Sequence, residues 1–159
     1  MSKTEIIAEK GKQEIVINRI FDSPRELVFS TYLDPDTVPH WWGPSFVTTV
    51  VDKMEVRKGG IWRFVQQTPD GTINAHYGVY HDVQAPERIV NTYEFEGYPG
   101  IVGLVTTQFE ELPGGRTKFV ETSLFPSVEV RESVIQSGMT DGVIEMMDRL
   151  EEMLVSLKS

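Results

Sequence analysis

The chain has 159 residues, 24 acidic against 15 basic side chains, a formal net charge of −9 and 40% hydrophobic residues. This balance suits a single globular domain with a buried core, and the absence of cysteine excludes disulfides, thiolate metal sites and a cysteine nucleophile. No apolar run reaches the ~20 residues of a spanning helix, the first twelve residues lack the apolar centre of a secretory signal, and the acidic excess disfavours contact with phosphate backbones. The expectation is a cytoplasmic protein with no nucleic-acid partner and no membrane insertion.

Residues 1–12 read as a flexible polar tail and residues 13–159 as one domain, because no linker, repeat or low-complexity stretch divides them. Residues 13–21 read as a first strand with apolar side chains on both faces. Ser23, Pro24 and Glu26 then predict a capping box, with the serine capping a helix and the proline at its first position. Leu27, Val28 and Tyr32 form the apolar face of that short helix, which Asp34-Pro35 ends. A second helical turn is expected over residues 35–40.

Strands are expected over residues 46–56, 60–67, 74–83, 88–95, 101–112 and 117–125. The segments between them, such as Pro69-Asp70-Gly71 and Pro113-Gly114-Gly115, carry turn chemistry. Such short connections imply an antiparallel meander. Met139, Val143, Met146 or Met147, Leu150, Leu154 and Leu157 step by three and four, the stripe of a long final helix. Two starts fit it, one near Ser127 and one after Gly138. The order defines an α+β chain with an antiparallel sheet of about six to seven strands and two short helices after the first. Laying the final helix across a curved sheet buries both apolar surfaces and leaves a gap on the concave side.

Several short motifs carry a resemblance. Phe21-Asp22-Ser23-Pro24 opens the first helix and Trp41-Trp42-Gly43-Pro44 follows the second. Glu55, Arg57, Gly59 and Gly60 form an acidic-x-Arg-x-Gly-Gly turn ahead of Trp62-Arg63-Phe64. Pro69-Asp70-Gly71, Gly78-Val79-Tyr80 and Pro86-Glu87-Arg88-Ile89-Val90 continue the series, and residues 138–157 close it. In order and spacing these resemble the START-like (SRPBCC) superfamily with its helix-grip fold. Within it, they most resemble the family named for the activator of heat-shock protein 90 ATPase. The resemblance covers residues 14–157. It departs at Glu55, where Asp is usual, at Lys58, where Pro is usual, and at Val143, where Trp is frequent. It implies a hydrophobic cavity between sheet and long helix but no single activity. Related folds bind lipids, cyclise polyketides, sequester toxins or assist a chaperone.

The candidate chemistry is sparse. His76 and His81 lie five apart on one expected strand, hence on opposite faces, and His40 precedes Trp41. Such histidines do not converge on a metal. They read as surface or rim residues, and no metal or other cofactor is expected. No nucleophile elbow, metalloprotease helix or phosphate-cradling loop is present, so no catalytic residue is assigned. Glu121 shares a strand face with Phe119. If that face is inward, desolvation suits its carboxyl to proton transfer; a bulge or register shift turning it outward is the simpler expectation.

The aromatic residues are the richest feature. Trp62 pairs with Phe64 on one face by period two, as Tyr93 does with Phe95 and Thr107 with Phe109. Of the adjacent Trp41 and Trp42, one is expected in the core and the other at the cavity mouth or on the surface, with Trp41 fitting either place. The expected cavity wall comprises Trp41, Trp62, Phe64, His76, Tyr93, Phe109, Phe119, Glu121, Met139, Val143 and Met146. Glu121, His76 or Tyr77 would orient a ligand. Gly138 and Gly142 each cost about 1 kcal/mol inside a helix, which points to a helix start, a close approach or space for a ligand.

The expected function is binding of an apolar or aromatic small molecule, lipid- or polyketide-like, as a carrier or sequestering protein. A cyclase- or hydrolase-like enzyme using the same cavity and a chaperone ATPase co-factor are the alternatives. Trp42 or an exposed strand edge is the candidate contact for a homodimer.

Overall fold

The computed structural model describes residues 3–158. Eight strands form one antiparallel sheet: β1 (Glu5–Ile7), β2 (Glu14–Phe21), β3 (Thr48–Met54), β4 (Ile61–Gln67), β5 (Ile73–Gln84), β6 (Arg88–Phe95), β7 (Val102–Leu112) and β8 (Arg116–Leu124). The order across the sheet is β1-β2-β8-β7-β6-β5-β4-β3. Tight turns therefore make the meander from β3 to β8, and β8 then pairs with the early strand β2.

The extra strand is β1, which falls in the stretch read as a tail. Ile6 pairs with Ile17, and Arg19 Nη1 donates to the buried Thr4 hydroxyl at 2.9 Å. Three residues are too few to show a period, so pairing rather than pattern defines this strand. Met1 and Ser2, the rest of that stretch's start, lie outside the described residues.

Two helices follow β2, α1 (Arg25–Tyr32) and α2 (Val38–Trp41). The predicted capping box does not form. Pro24 occupies the cap position, no side chain caps α1, and Ser23 is buried with its carbonyl accepting from Thr117 Oγ1 at 2.7 Å. Ser23 is thus held against β8 instead of turning back on its own helix.

Both expected starts of the final helix are used. Ser127 Oγ accepts from Val130 N at 3.1 Å and caps α3 (Val128–Gln136). Gly138, at φ +90°, separates it from α4 (Met139–Lys158). That left-handed conformation is open to glycine and costly for other residues. Met147, Leu150 and Leu154 of α4 are buried with Phe21, Phe109 and Phe119 of the sheet and Val28 and Phe29 of α1. Leu157, expected on the same stripe, is exposed. The core rings pack edge to face, with Phe109 and Phe119 centroids 5.6 Å apart and Phe21 and Phe119 5.8 Å apart.

Candidate functional site

The concave face is filled only where the C-terminal half of α4 covers it. Over the N-terminal half, Met139, Gly142, Val143 and Met146 stand above a cavity of about 810 Å³. A Cβ added to Gly142 would meet nothing within 4 Å, so the missing side chain leaves open space. Val130, Ser133 and Val134 of α3 border the same cavity. The buried Arg131 holds α3 in place, its Nη1 donating to the carbonyls of Glu9 at 2.6 Å and Glu14 at 3.2 Å.

The aromatic wall grows from strand periodicity. Trp62 and Phe64 alternate inward from β4, with centroids 4.9 Å apart. Trp62 Nε1 donates to the Thr92 carbonyl at 3.2 Å. Gly78 makes that approach feasible, since a Cβ there would lie 1.9 Å from the Thr92 oxygen and 2.6 Å from Trp62 Nε1. Trp42 lies over Phe64 and His76, with centroids 5.1 and 5.0 Å away. Its segment is tied to α4, because Arg149 donates to the Gly43 carbonyl at 2.6 Å and Ser45 N donates to Glu145 at 2.7 Å.

Two polar clusters interrupt this wall. In the first, His76 Nδ1 lies 2.5 Å from the Tyr93 hydroxyl and Nε2 lies 3.1 Å from Gln66 Oε1. The carbonyl-type Oε1 can only accept, which assigns the proton to Nε2 and leaves Nδ1 to accept from Tyr93. Burial lowers the His76 pKa to about 4, against a weaker opposing pull from Glu96, so the ring is neutral at pH 7. Burial likewise pushes the Tyr93 phenol upward.

The second cluster is Glu121 and Tyr32. Tyr32 Oη donates to Glu121 Oε2 at 3.0 Å. Burial raises the Glu121 pKa, and the Tyr32 bond opposes this only in part. Tyr32 is itself pushed well up, first by burial and then by the Glu121 charge. Glu121 keeps accessible surface where it borders the cavity, while protein crowds it elsewhere.

Nine of the expected wall residues border the cavity: Trp41, Trp62, Phe64, His76, Tyr93, Glu121, Met139, Val143 and Met146. Glu121 faces inward in regular register, opposite Ile17 and Thr107, so no bulge turns it out. Phe109 and Phe119 do not border the cavity. They lie under α1 in the closed core, 2% and 0% exposed. Tyr77 pairs with Glu94 on the opposite sheet face and offers the cavity nothing. Trp41 is 1% exposed and serves core and wall together.

Trp42 also faces inward, its ring packed on Trp62, Phe64 and His76. Trp41 ends a helix and Trp42 is extended, so the alternation expected for two extended residues does not apply. His40 and His81 are exposed. Sequence reasoning passed over Gln66 and Asn91 as wall residues, although each stands two positions from a named one, Phe64 and Tyr93. Helix periodicity places Tyr32 on a helix face but carries no sign of its link to Glu121, 89 residues away.

A curved antiparallel sheet gripping a long C-terminal helix defines the helix-grip class of α+β domains. The chain belongs to the Activator of Hsp90 ATPase homolog 1-like protein family, whose pattern matches residues 22–155. Similar solved structures include a solution structure of a protein from Arthrobacter aurescens, with 23% identity and a TM-score of 0.87 over 96% of this chain and 91% of that one. A crystal structure from Rhodobacter sphaeroides has 24% identity and a TM-score of 0.87, covering 96% and 99%. A solution structure from Staphylococcus epidermidis has 28% identity and a TM-score of 0.79, covering 95% and 94%. No match is found among curated proteins. Among the described residues, no helix is long and apolar enough to cross a membrane.

Proposed function

We propose that this protein binds an apolar or aromatic small molecule inside the cavity, as a carrier or sequestering protein. The observation that carries this reading is the cavity itself. Its volume of about 810 Å³ lies within the range of roughly 300–1,000 Å³ typical of small-molecule sites. Aromatic and aliphatic side chains supply most of its wall, and a few polar groups supply orientation. Membership of the family supports the reading, since the fold commonly accommodates hydrophobic ligands.

The test is uptake of an environment-sensitive apolar dye, followed by tryptophan quenching. Mass spectrometry then identifies what the protein retains from a pool of lipids and aromatic metabolites. Val143→Trp places an indole in the void from the face of α4 that borders it. Saturable binding by the wild type and its loss in Val143→Trp are expected. Binding that is absent, or unchanged in Val143→Trp, overturns the reading.

A further inference from the structure

We propose that the cavity selects an amphiphile whose buried end is an amine, and that the Glu121 carboxyl receives it. This rests on the reading of the cavity as a ligand site and names the ligand class.

Among the described residues, the lining contains one carboxyl group, that of Glu121, and neither lysine nor arginine. Within the protein, Tyr32 is the hydrogen-bond partner of that carboxyl, and it engages only Oε2. Oε1 is left for whatever fills the cavity. The other polar cluster has no comparable vacancy, because Tyr93 and Gln66 already engage both ring nitrogens of His76. Tyr32 of α1, which holds Glu121, and Tyr80 of β5, which also lines the cavity, are kept protonated by burial and carry no charge. The residues of α4 that border the cavity, Met139, Gly142, Val143 and Met146, carry no charge. Arg19, the buried cation on the same face of β2, is already paired with Asp148 of α4 at 2.7 Å. Among the described residues, an anion at Glu121 therefore has no cation of its own.

An ammonium group supplies one. In a site shielded from water, an N–H donated to a carboxylate is about twice as strong as a neutral hydrogen bond. An amine that enters neutral takes the proton of a protonated Glu121: the O–H bond breaks, an N–H bond forms, and the same ion pair results. A hydroxyl end gains a neutral hydrogen bond only. A carboxylate end sets a second negative charge against the first, with no cation to offset either.

The experiment compares phenylbutylamine, phenylbutanol and phenylbutanoate by titration calorimetry at about pH 7.5. The wild type is expected to bind the amine at least about tenfold more tightly than the carboxylate, with the alcohol between. Glu121→Gln keeps the shape and an acceptor for Tyr32 but removes the charge. It should bring the amine down to the alcohol's affinity and raise that of the carboxylate. Equal affinities for amine and carboxylate, or an amine preference that survives in Glu121→Gln, overturn the proposal while alcohol binding still upholds a ligand cavity. If none of the three probes and no apolar dye binds, both readings fall. Should Glu121→Gln not fold, the ranking of the probes on the wild type still decides.

Discussion

Burial holds the His76 imidazole near pKa about 4, whereas the unfolded chain titrates it near 6.5. Between those values the unfolded state binds a proton that the folded state does not. Stability is therefore complete above about 6.5, falls as the pH drops through 6.5, and levels off below about 4. The gap limits the effect to about 3 kcal/mol. In His76→Gln, which cannot titrate, the loss between pH 7 and pH 4.5 should shrink by a large part of that amount. Urea unfolding at the two pH values checks it, and an unchanged acid loss would contradict the assignment. Glu121 works in the opposite sense, since its raised pKa removes stability as the pH climbs from the unfolded carboxyl value toward the folded one. The protein thus keeps a base and an acid in one cavity, each biased toward its uncharged form.

At the scale of elements, the two helix glycines behave differently. Gly142 has open space where a side chain would begin, so Gly142→Ala should stabilise α4 by up to about 1 kcal/mol through helix propensity. Gly138 has the same open space but a φ of +90°, so Gly138→Ala should cost about 1–2 kcal/mol. Thermal melting of the pair reads both signs, and two shifts in the same direction would contradict the account. Sequence periodicity located β2 to β8 within a residue or two because each is a long strand bounded by turn residues. It found α4 because the apolar stripe persists over several turns. It could not find β1, whose partner is another strand rather than a local pattern. Nor does the pattern choose between the two helix starts, because Gly138 joins two helices and both starts are used. Ser23 shows the limit of local motifs: its sequence context fits a cap, yet Thr117 from β8 claims its carbonyl.

At the scale of the whole molecule, α4 divides the concave face into a closed half and an open half. Phe119 belongs to the closed half and Trp42 to the open one. Phe119→Ala leaves a new void in dense packing and should cost about 3–5 kcal/mol. Trp42→Ala enlarges a void that already exists, so it should cost less and weaken dye binding instead. Denaturant unfolding and dye titration of both variants test this division, and equal losses of stability would remove it. Strand alternation told which side chains share a face, but not where along that face the helix stops covering them. For this reason Phe109 and Phe119 were expected in the wall, while Gln66 and Asn91 were passed over. That boundary depends on the seating of α4, which Arg149 and Glu145 fix through contacts about a hundred residues away in the chain.

The pairing of β2 with β8 also sets when the protein can fold during its synthesis. β1 and β2 alone make a two-stranded hairpin, which is marginal in water. The other neighbour of β2 is translated about a hundred residues later, which at roughly 5–20 residues per second takes on the order of ten seconds. Until then a nascent chain holds β2 with one edge unpaired, and Tyr32 of α1 waits for Glu121 of β8. The carboxyl floor therefore comes into being only when the last strand leaves the ribosome, and the cavity only when α3 and α4 follow to cover it. From that moment the first and last thirds of the polypeptide stabilise each other as a unit.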